Sequence, residues 1–228
     1  MSGGVSWKNW HFQAPDATIG GRRKPSAVAT HSAATVDRLP ACRPTEHTGM
    51  NLSAHPRTVW LTGLSGAGKT TLANAFAHQL KSHGTACTVL DGDALRNGLN
   101  ASLGFTEADR SENIRRTAEV ARLFNEAGLW VVAALISPHD EDRQRVREIV
   151  GHDRCRLVWV RTPLGVCEAR DPKGLYARAR SGCLPGFTGV GATYEEPWDA
   201  DFEIDTTGAS VQECVQALWT AQGPAQAG

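Results

Sequence analysis

The segment Gly63 to Thr71, GLSGAGKTT, places a lysine and two hydroxyls directly behind a run of glycines. It fits G-x-x-x-x-G-K-[ST] at every fixed position. Glycines let the backbone curl so that successive N–H groups point inward at phosphate oxygens. A helix that starts at the lysine adds its positive N-terminal end. Lys69 would reach the outer phosphates of a nucleotide, and Thr70 would offer a hydroxyl to Mg²⁺. A chance match in a chain of this length is on the order of one per cent. The chemistry implied is binding and transfer of a phosphoryl group.

A phosphate loop does not name the acceptor. No NKxD-type base-specificity motif is present, and Asp171-Pro-Lys-Gly174 fits DxxG without following an apolar strand, so a GTPase reading has no support. Other segments carry acceptor-type chemistry. LDGDALRNGLN (Leu90 to Asn100) puts Asp91 and Asp93 at the end of an apolar run. One carboxylate could order a metal shell or accept the proton of an attacking hydroxyl. The same residues read equally as a solvated turn with Asp93 as a helix N-cap. LGFTEADRSENIRR (Leu103 to Arg116) gathers Phe105, Arg110 and Asn113 around a helix start. They could hold a base and its anionic group, or be a hydrophobic staple among surface polar residues. ISPHDEDR places Ser137 just past an apolar run, as a phosphate ligand, a phosphorylated group or a Ser-Pro turn. RDPKGLYARARSG and then GFTGVGATYEEP read as a basic helix and a glycine-rich loop that could close over two substrates.

The elements that must position these groups follow from periodicity. Thr58 to Thr62, Ala86 to Leu90, Leu129 to Ile136, Arg156 to Val160 and Phe202 to Ile204 are predicted strands. Helices are predicted over Lys69 to His83, from the Thr106-x-x-Asp109 capping box to about Ala127, over His139 to Val150, and over Ser210 to Trp219. Alternation of this kind gives an α/β fold with a parallel sheet and helices on both faces. Ligands then sit at the carboxyl ends of the strands.

The 228 residues suffice for one such domain plus tails. Three segments are expected: a disordered tail over 1–57, rich in Ala, Thr, Ser, Pro and Gly, a kinase-like domain over 58–220, and a flexible tail over 221–228. Lysine and arginine (24) balance aspartate and glutamate (24), so no global field attracts nucleic acid or an acidic membrane. No apolar run approaches a membrane span. Six scattered cysteines without CxxC pairing read as reduced, buried thiols of a cytoplasmic protein.

Taken together, TVWLTGLSGAGKTT, LDGDALRNGLN, LGFTEADRSENIRR, EVARLFNEAGL, ISPHDEDR, CEARDPKGLYARAR and GFTGVGATYEEP resemble the adenylylsulfate (APS) kinase family, from about Thr58 to Trp219. The resemblance implies a P-loop NTPase-type fold with a mobile lid segment. It implies phosphorylation of adenosine 5′-phosphosulfate (APS) by ATP with Mg²⁺, in sulfate assimilation. Carried over by motif, Gly63, Leu64, Ser65, Gly66, Ala67, Gly68, Lys69 and Thr70 hold the ATP phosphates. Thr70 and Asp93 stand near the metal. Asp93, Arg96, Phe105, Arg110, Asn113, Ile136 and Ser137 line the acceptor pocket, joined by Lys173, Leu175 and Phe187 from the lid. Lys69, Asp93 and Ser137 are the implied catalytic residues, Ser137 as a phosphoserine or as an orienting group. A homodimer is implied, with a separate ATP sulfurylase to supply APS. The sequence departs from the family at His139, where Tyr or Phe is usual. Two other readings of the same motifs are a kinase for another small molecule and a non-catalytic nucleotide-binding partner of a sulfurylase.

Overall fold

The computed structural model describes residues 57–222. Five parallel strands form one sheet in the order β2-β3-β1-β4-β5: β1 Thr58–Thr62, β2 Cys87–Asp91, β3 Trp130–Ala134, β4 Cys155–Val160 and β5 Phe202–Ile204. Seven helices connect and follow them: α1 Lys69–Ser82, α2 Gly92–Arg96, α3 Glu107–Glu126, α4 Asp140–Val150, α5 Leu164–Arg170, α6 Leu175–Arg180 and α7 Val211–Gln222. The central strand β1 is buried along its whole length. Its alternating side chains divide the core. Val59 and Leu61 pack with Leu72, Phe76 and Leu80 of α1 and Leu218 of α7. Trp60 packs with Ile114 and Ala118 of α3 and Val146 of α4 on the other face. A strand covered on both faces reads as a continuous apolar run, as TVWLT does.

Register fixes where the chemistry can sit. Thr62 at the end of β1 lies level with Trp159 of β4, and Leu61 with Ala134 of β3. Asp91, at the end of β2, is also level with Ala134. The phosphate loop, the Asp91 turn and the Ser137 turn therefore leave the sheet side by side, at the carboxyl edge.

Several boundaries differ from the sequence expectation. Strand β3 ends at Ala134, two residues short, because the chain turns toward Ser137. The basic segment after Arg170 is not one helix. Asp171 breaks it by accepting hydrogen bonds from the N–H groups of Leu175 (2.8 Å), Tyr176 (3.2 Å) and Ala177 (3.1 Å), which starts α6 afresh. Helix α7 runs to Gln222, into the expected C-terminal tail. The expectations for residues 1–56 and 223–228 lie outside the described residues. Cys87, Cys155, Cys167 and Cys214 are buried free thiols, but Cys183 is exposed, against the expectation that all six are buried. Cys42 lies outside the described residues. Among the described residues no helix is long and apolar enough to cross a membrane.

Candidate active site

The phosphate loop is held from outside by its carbonyls. Tyr176 Oη donates to Ser65 O at 2.9 Å. The hydroxyls of Thr162 and Thr206 both donate to Ala67 O, at 3.2 and 3.0 Å. Two glycines are required by close approach. A Cβ on Gly63 (φ +144°) would meet Val160 O at 2.6 Å, and one on Gly66 (φ +76°) would meet Cys167 O at 2.8 Å. Helix α1 starts after Gly68 with no side-chain cap, so its first N–H groups remain for an anion. Lys69 is buried, and its ammonium donates to Gly63 O (2.9 Å) and Leu64 O (2.7 Å) across the loop.

The two carboxylates after β2 have separate tasks. Thr70 Oγ1 donates to Asp91 Oδ2 at 2.7 Å. Asp91 also caps α2, accepting from the N–H groups of Asp93 (3.0 Å) and Ala94 (3.1 Å). The N-cap is therefore Asp91 and not Asp93, because α2 starts at Gly92, two residues before the start that a cap at Asp93 would give. Asp93 is exposed and forms an ion pair with Lys173, which precedes α6. The Thr70 hydroxyl and the Asp91 carboxylate make a sparse, all-oxygen donor set. That set fits Mg²⁺, which is held by one or two carboxylates together with substrate phosphates. Among the described residues no cluster of three or more His, Cys, Asp or Glu side chains suits a tighter metal cage.

On the far side of Asp93 stand two guanidinium groups. Arg96 donates to Gly104 O at 2.6 Å, and its guanidinium lies 4.6 Å from the centroid of the exposed Phe105 ring. Arg110 donates to Phe105 O (2.9 Å), Thr188 Oγ1 (2.8 Å) and Gly186 O (2.7 Å), so it latches the glycine-rich loop onto the start of α3. Thr106 caps the helix there, its Oγ1 accepting from the Asp109 N–H at 3.2 Å, while the Asp109 carboxylate accepts from the Thr106 hydroxyl at 2.7 Å and does not complete the capping box. Asn113, one turn on, is buried and accepts from Asn100 Nδ2 at 2.8 Å. Phe187 does not stand free. It is buried edge-on against Tyr176, centroids 5.0 Å apart. Leu175 starts α6 and packs, half-buried, on the core. Ile136 is half-buried and Ser137 is buried, its Oγ accepting from the Trp60 indole N–H at 3.0 Å.

The family model described as adenylylsulphate kinase matches residues 55–205. This chain belongs to the adenylylsulphate kinase family. A probable adenylyl-sulfate kinase of Halalkalibacterium halodurans is 54% identical over 162 residues, 71% of this chain and 78% of the relative. The adenylyl-sulfate kinase of Paraburkholderia xenovorans is 54% identical over 166 residues, 73% and 92% of the two chains. The structure of the Mycobacterium tuberculosis APS kinase CysC, in complex with AMPPNP and APS, superposes with a TM-score of 0.71 at 42% identity. That match covers 74% of this chain and 98% of the other.

The electrostatics suit a family that handles two anionic nucleotides. Burial lowers the pKa of Arg96, and the neighbouring Arg110 guanidinium lowers it further. Burial lowers that of Arg110 as well. Two clustered guanidinium groups held below their ordinary value gain from an anion placed between them. The pKa of Lys69 is lowered from 10.5 to about 8, by burial first, with Lys173 adding to the effect and Cys167, Asp93 and Asp91 opposing it. Phosphate favours the cation, so binding raises this pKa and takes up a proton. Affinity for a non-hydrolysable ATP analogue is expected to be flat below about pH 8 and to fall toward tenfold per pH unit above it. Titration calorimetry across pH checks this. A flat profile to pH 10 would contradict it.

Tyr176, Thr162 and Thr206 were not among the residues the motifs singled out for these tasks, and Asp91 was singled out only as one of two carboxylates. For Asp91 the signal was present, since DGD offers two carboxylates and the spacing alone does not rank them. For the other three the contacts join distant stretches of chain, and nothing local marks them.

Proposed function

We propose that this chain transfers the γ-phosphoryl group of ATP to the 3′-hydroxyl of adenosine 5′-phosphosulfate, giving ADP and 3′-phosphoadenosine 5′-phosphosulfate in sulfate assimilation. The observation that carries the reading is the position of Asp93. It follows directly on the Thr70–Asp91 contact of the donor side and shares its α2 with Arg96 of the acceptor side.

In this reading the N–H groups of Gly63 to Thr70 and the Lys69 ammonium hold the donor phosphates. Thr70 and Asp91 hold Mg²⁺, which supplies charge neutralisation at the phosphates. Arg96, Arg110 and Asn113 hold the phosphosulfate and base of the acceptor, and Phe105 offers a face for stacking. Asp93 accepts the proton of the 3′-hydroxyl, and the ion pair with Lys173 holds its carboxylate in place until the acceptor arrives. The Arg110 contacts with Gly186 and Thr188 then keep the lid over the reacting groups and exclude water.

Ser137 acts by position in this scheme. Its side chain is 1% exposed and its Oγ is engaged by Trp60, which leaves the hydroxyl badly placed to carry a phosphoryl group. Direct in-line transfer needs no such relay. Ser137→Ala is expected to keep kcat within about tenfold of the parent. A loss beyond a thousandfold, or a phosphoserine trapped at position 137, would restore the covalent route.

The deciding experiment mixes the purified chain with Mg-ATP and APS and follows ADP and the 3′-phosphorylated product by chromatography. Sugar acids and nucleoside monophosphates serve as competing acceptors. A folded protein that makes no product, or that prefers another acceptor, overturns the reading. The same reading includes a cytoplasmic homodimer supplied by a separate ATP sulfurylase, and light scattering on the purified chain tests the dimer.

A further inference from the structure

The turn after β3 is the most constrained stretch of backbone in the site. Ser137 has φ +43°, and among the described residues no other non-glycine residue lies beyond φ +20°. A serine held there is strained, because in the left-handed region its Cβ crowds the following carbonyl oxygen. Neighbouring groups hold both carbonyls of the turn. Ile136 O accepts from Thr62 Oγ1 (2.7 Å) and from the Gly63 N–H (3.3 Å). Ser137 O accepts from Arg143 Nη1 at 2.9 Å. With the carbonyls committed, the N–H groups of Ile136 and Ser137 have no partner among the described residues.

Arg143 is an unusual choice for this task. Its side chain is fully buried. Its one carboxylate partner, Asp140, is 3.3 Å away and partly solvated, and its Nε has no partner among the described residues. A buried cation so poorly paired is a poor stabiliser, and an apolar residue of similar volume often serves stability better. The guanidinium also lies 6.0 Å from the centroid of the Tyr194 ring. Tyr194 exchanges a hydrogen bond with Thr62 Oγ1 (3.0 Å), and its neighbour Glu195 is tied to the same turn from both ends. The Glu195 N–H donates to Pro138 O (2.9 Å), and Glu195 Oε2 accepts from the Asp140 N–H (2.6 Å). This is where the glycine-rich loop returns to the body of the protein. A cleft of about 860 Å³ opens between Gly189 to Tyr194 and Arg161 to Leu164.

We propose that Arg143 is a positioning residue for the acceptor: from the buried side it fixes the left-handed Ser137 turn and joins that turn to Tyr194 at the root of the lid. The inference rests on the reading of the acceptor side as an APS site. Its effect should fall on acceptor binding and not on donor binding.

The test uses the full chain and measures dissociation constants for APS and for a non-hydrolysable ATP analogue by calorimetry, alongside steady-state kinetics. Arg143→Met, which fills the space without the donors, is expected to weaken APS binding by about tenfold or more while the ATP analogue stays within about twofold. Adding Ser137→Gly to Arg143→Met is expected to recover part of the APS affinity, because glycine adopts φ +43° without strain. If Arg143→Met fails to fold, Arg143→Lys and Tyr194→Phe carry the test, each with a smaller effect of the same sign. A folded variant with unchanged APS affinity, or one that loses both ligands equally, overturns the proposal. Parent protein that binds the ATP analogue but not APS would instead overturn the functional reading on which it rests.

Discussion

Replacing Lys69 by methionine is expected to lower kcat/KM by about a thousandfold or more, with the folded structure retained. The size follows from where the ammonium sits. It is buried beneath its own loop, and two of its three N–H donors go to Gly63 O and Leu64 O. Those carbonyls hold the lysine in place but do not neutralise it, as its lowered pKa of about 8 shows. A buried cation without an anion is a standing electrostatic cost. A phosphoryl group in transfer removes that cost, and most strongly when its charge is largest. Methionine fills similar volume and removes only the charge and the donors, so the fold should tolerate it. Arginine is a poor substitute, because a planar fork does not fit a niche built around one point charge. The comparison to make is kcat and KM for both substrates in Lys69→Met and the parent, with thermal melting as a control. A variant that keeps more than a tenth of the parent kcat would show that the loop backbone alone carries the donor phosphates.

The parts of this protein that were legible in the sequence are those whose cause is local. The phosphate loop is a contiguous string, and both the strand before it and the helix after it fall where the pattern puts them, Thr58–Thr62 and Lys69–Ser82. Thr106 caps α3 as the Thr-x-x-Asp spacing predicts. The sheet, parallel with helices on both faces, follows from the alternation of apolar runs and helical periods. What the motifs left open depends on contacts across the sheet. Trp60 and Ser137 are 77 positions apart, and Thr62 and Tyr194 are 132 apart. Neither pairing leaves a local signature, yet one of them engages the buried Ser137 hydroxyl and the other ties the end of β1 to the lid root. His139, the departure from the family pattern, resolves in the same way. It stands at the N-cap position of α4 without a side-chain capping bond, and its Nδ1 lies 3.3 Å from Glu195 Oε1, a polar contact to the lid root.

The two carboxylates of the DGD turn make opposite demands, and exchanging each for its amide separates them. Asp93→Asn is expected to lower kcat by about 10²- to 10⁴-fold, the range for loss of a general base, with little change in either KM. Asp93 caps nothing and makes its side-chain contact with the exposed Lys173, so the amide disturbs neither the fold nor the donor side. Asp91→Asn should behave differently. An asparagine oxygen can still cap α2, and its amide can still meet the Thr70 hydroxyl, but the charge beside that hydroxyl is gone. The expected result is a raised Mg²⁺ requirement, with kcat approaching the parent value as Mg²⁺ is increased. Titrating Mg²⁺ at saturating ATP and APS for both variants tells the roles apart. If Asp93→Asn is the variant rescued by Mg²⁺, and Asp91→Asn the one that is not, then the carboxylate nearest Thr70 is not the metal group. The hydrogen bond between them would then be only a prop for the turn. The strand delivers Asp91 beside Thr70, and the first turn of α2 delivers Asp93 beside Lys173. In the proposed reaction, a single short helix would thus set the distance between the carboxylate on the donor side and the one that activates the acceptor.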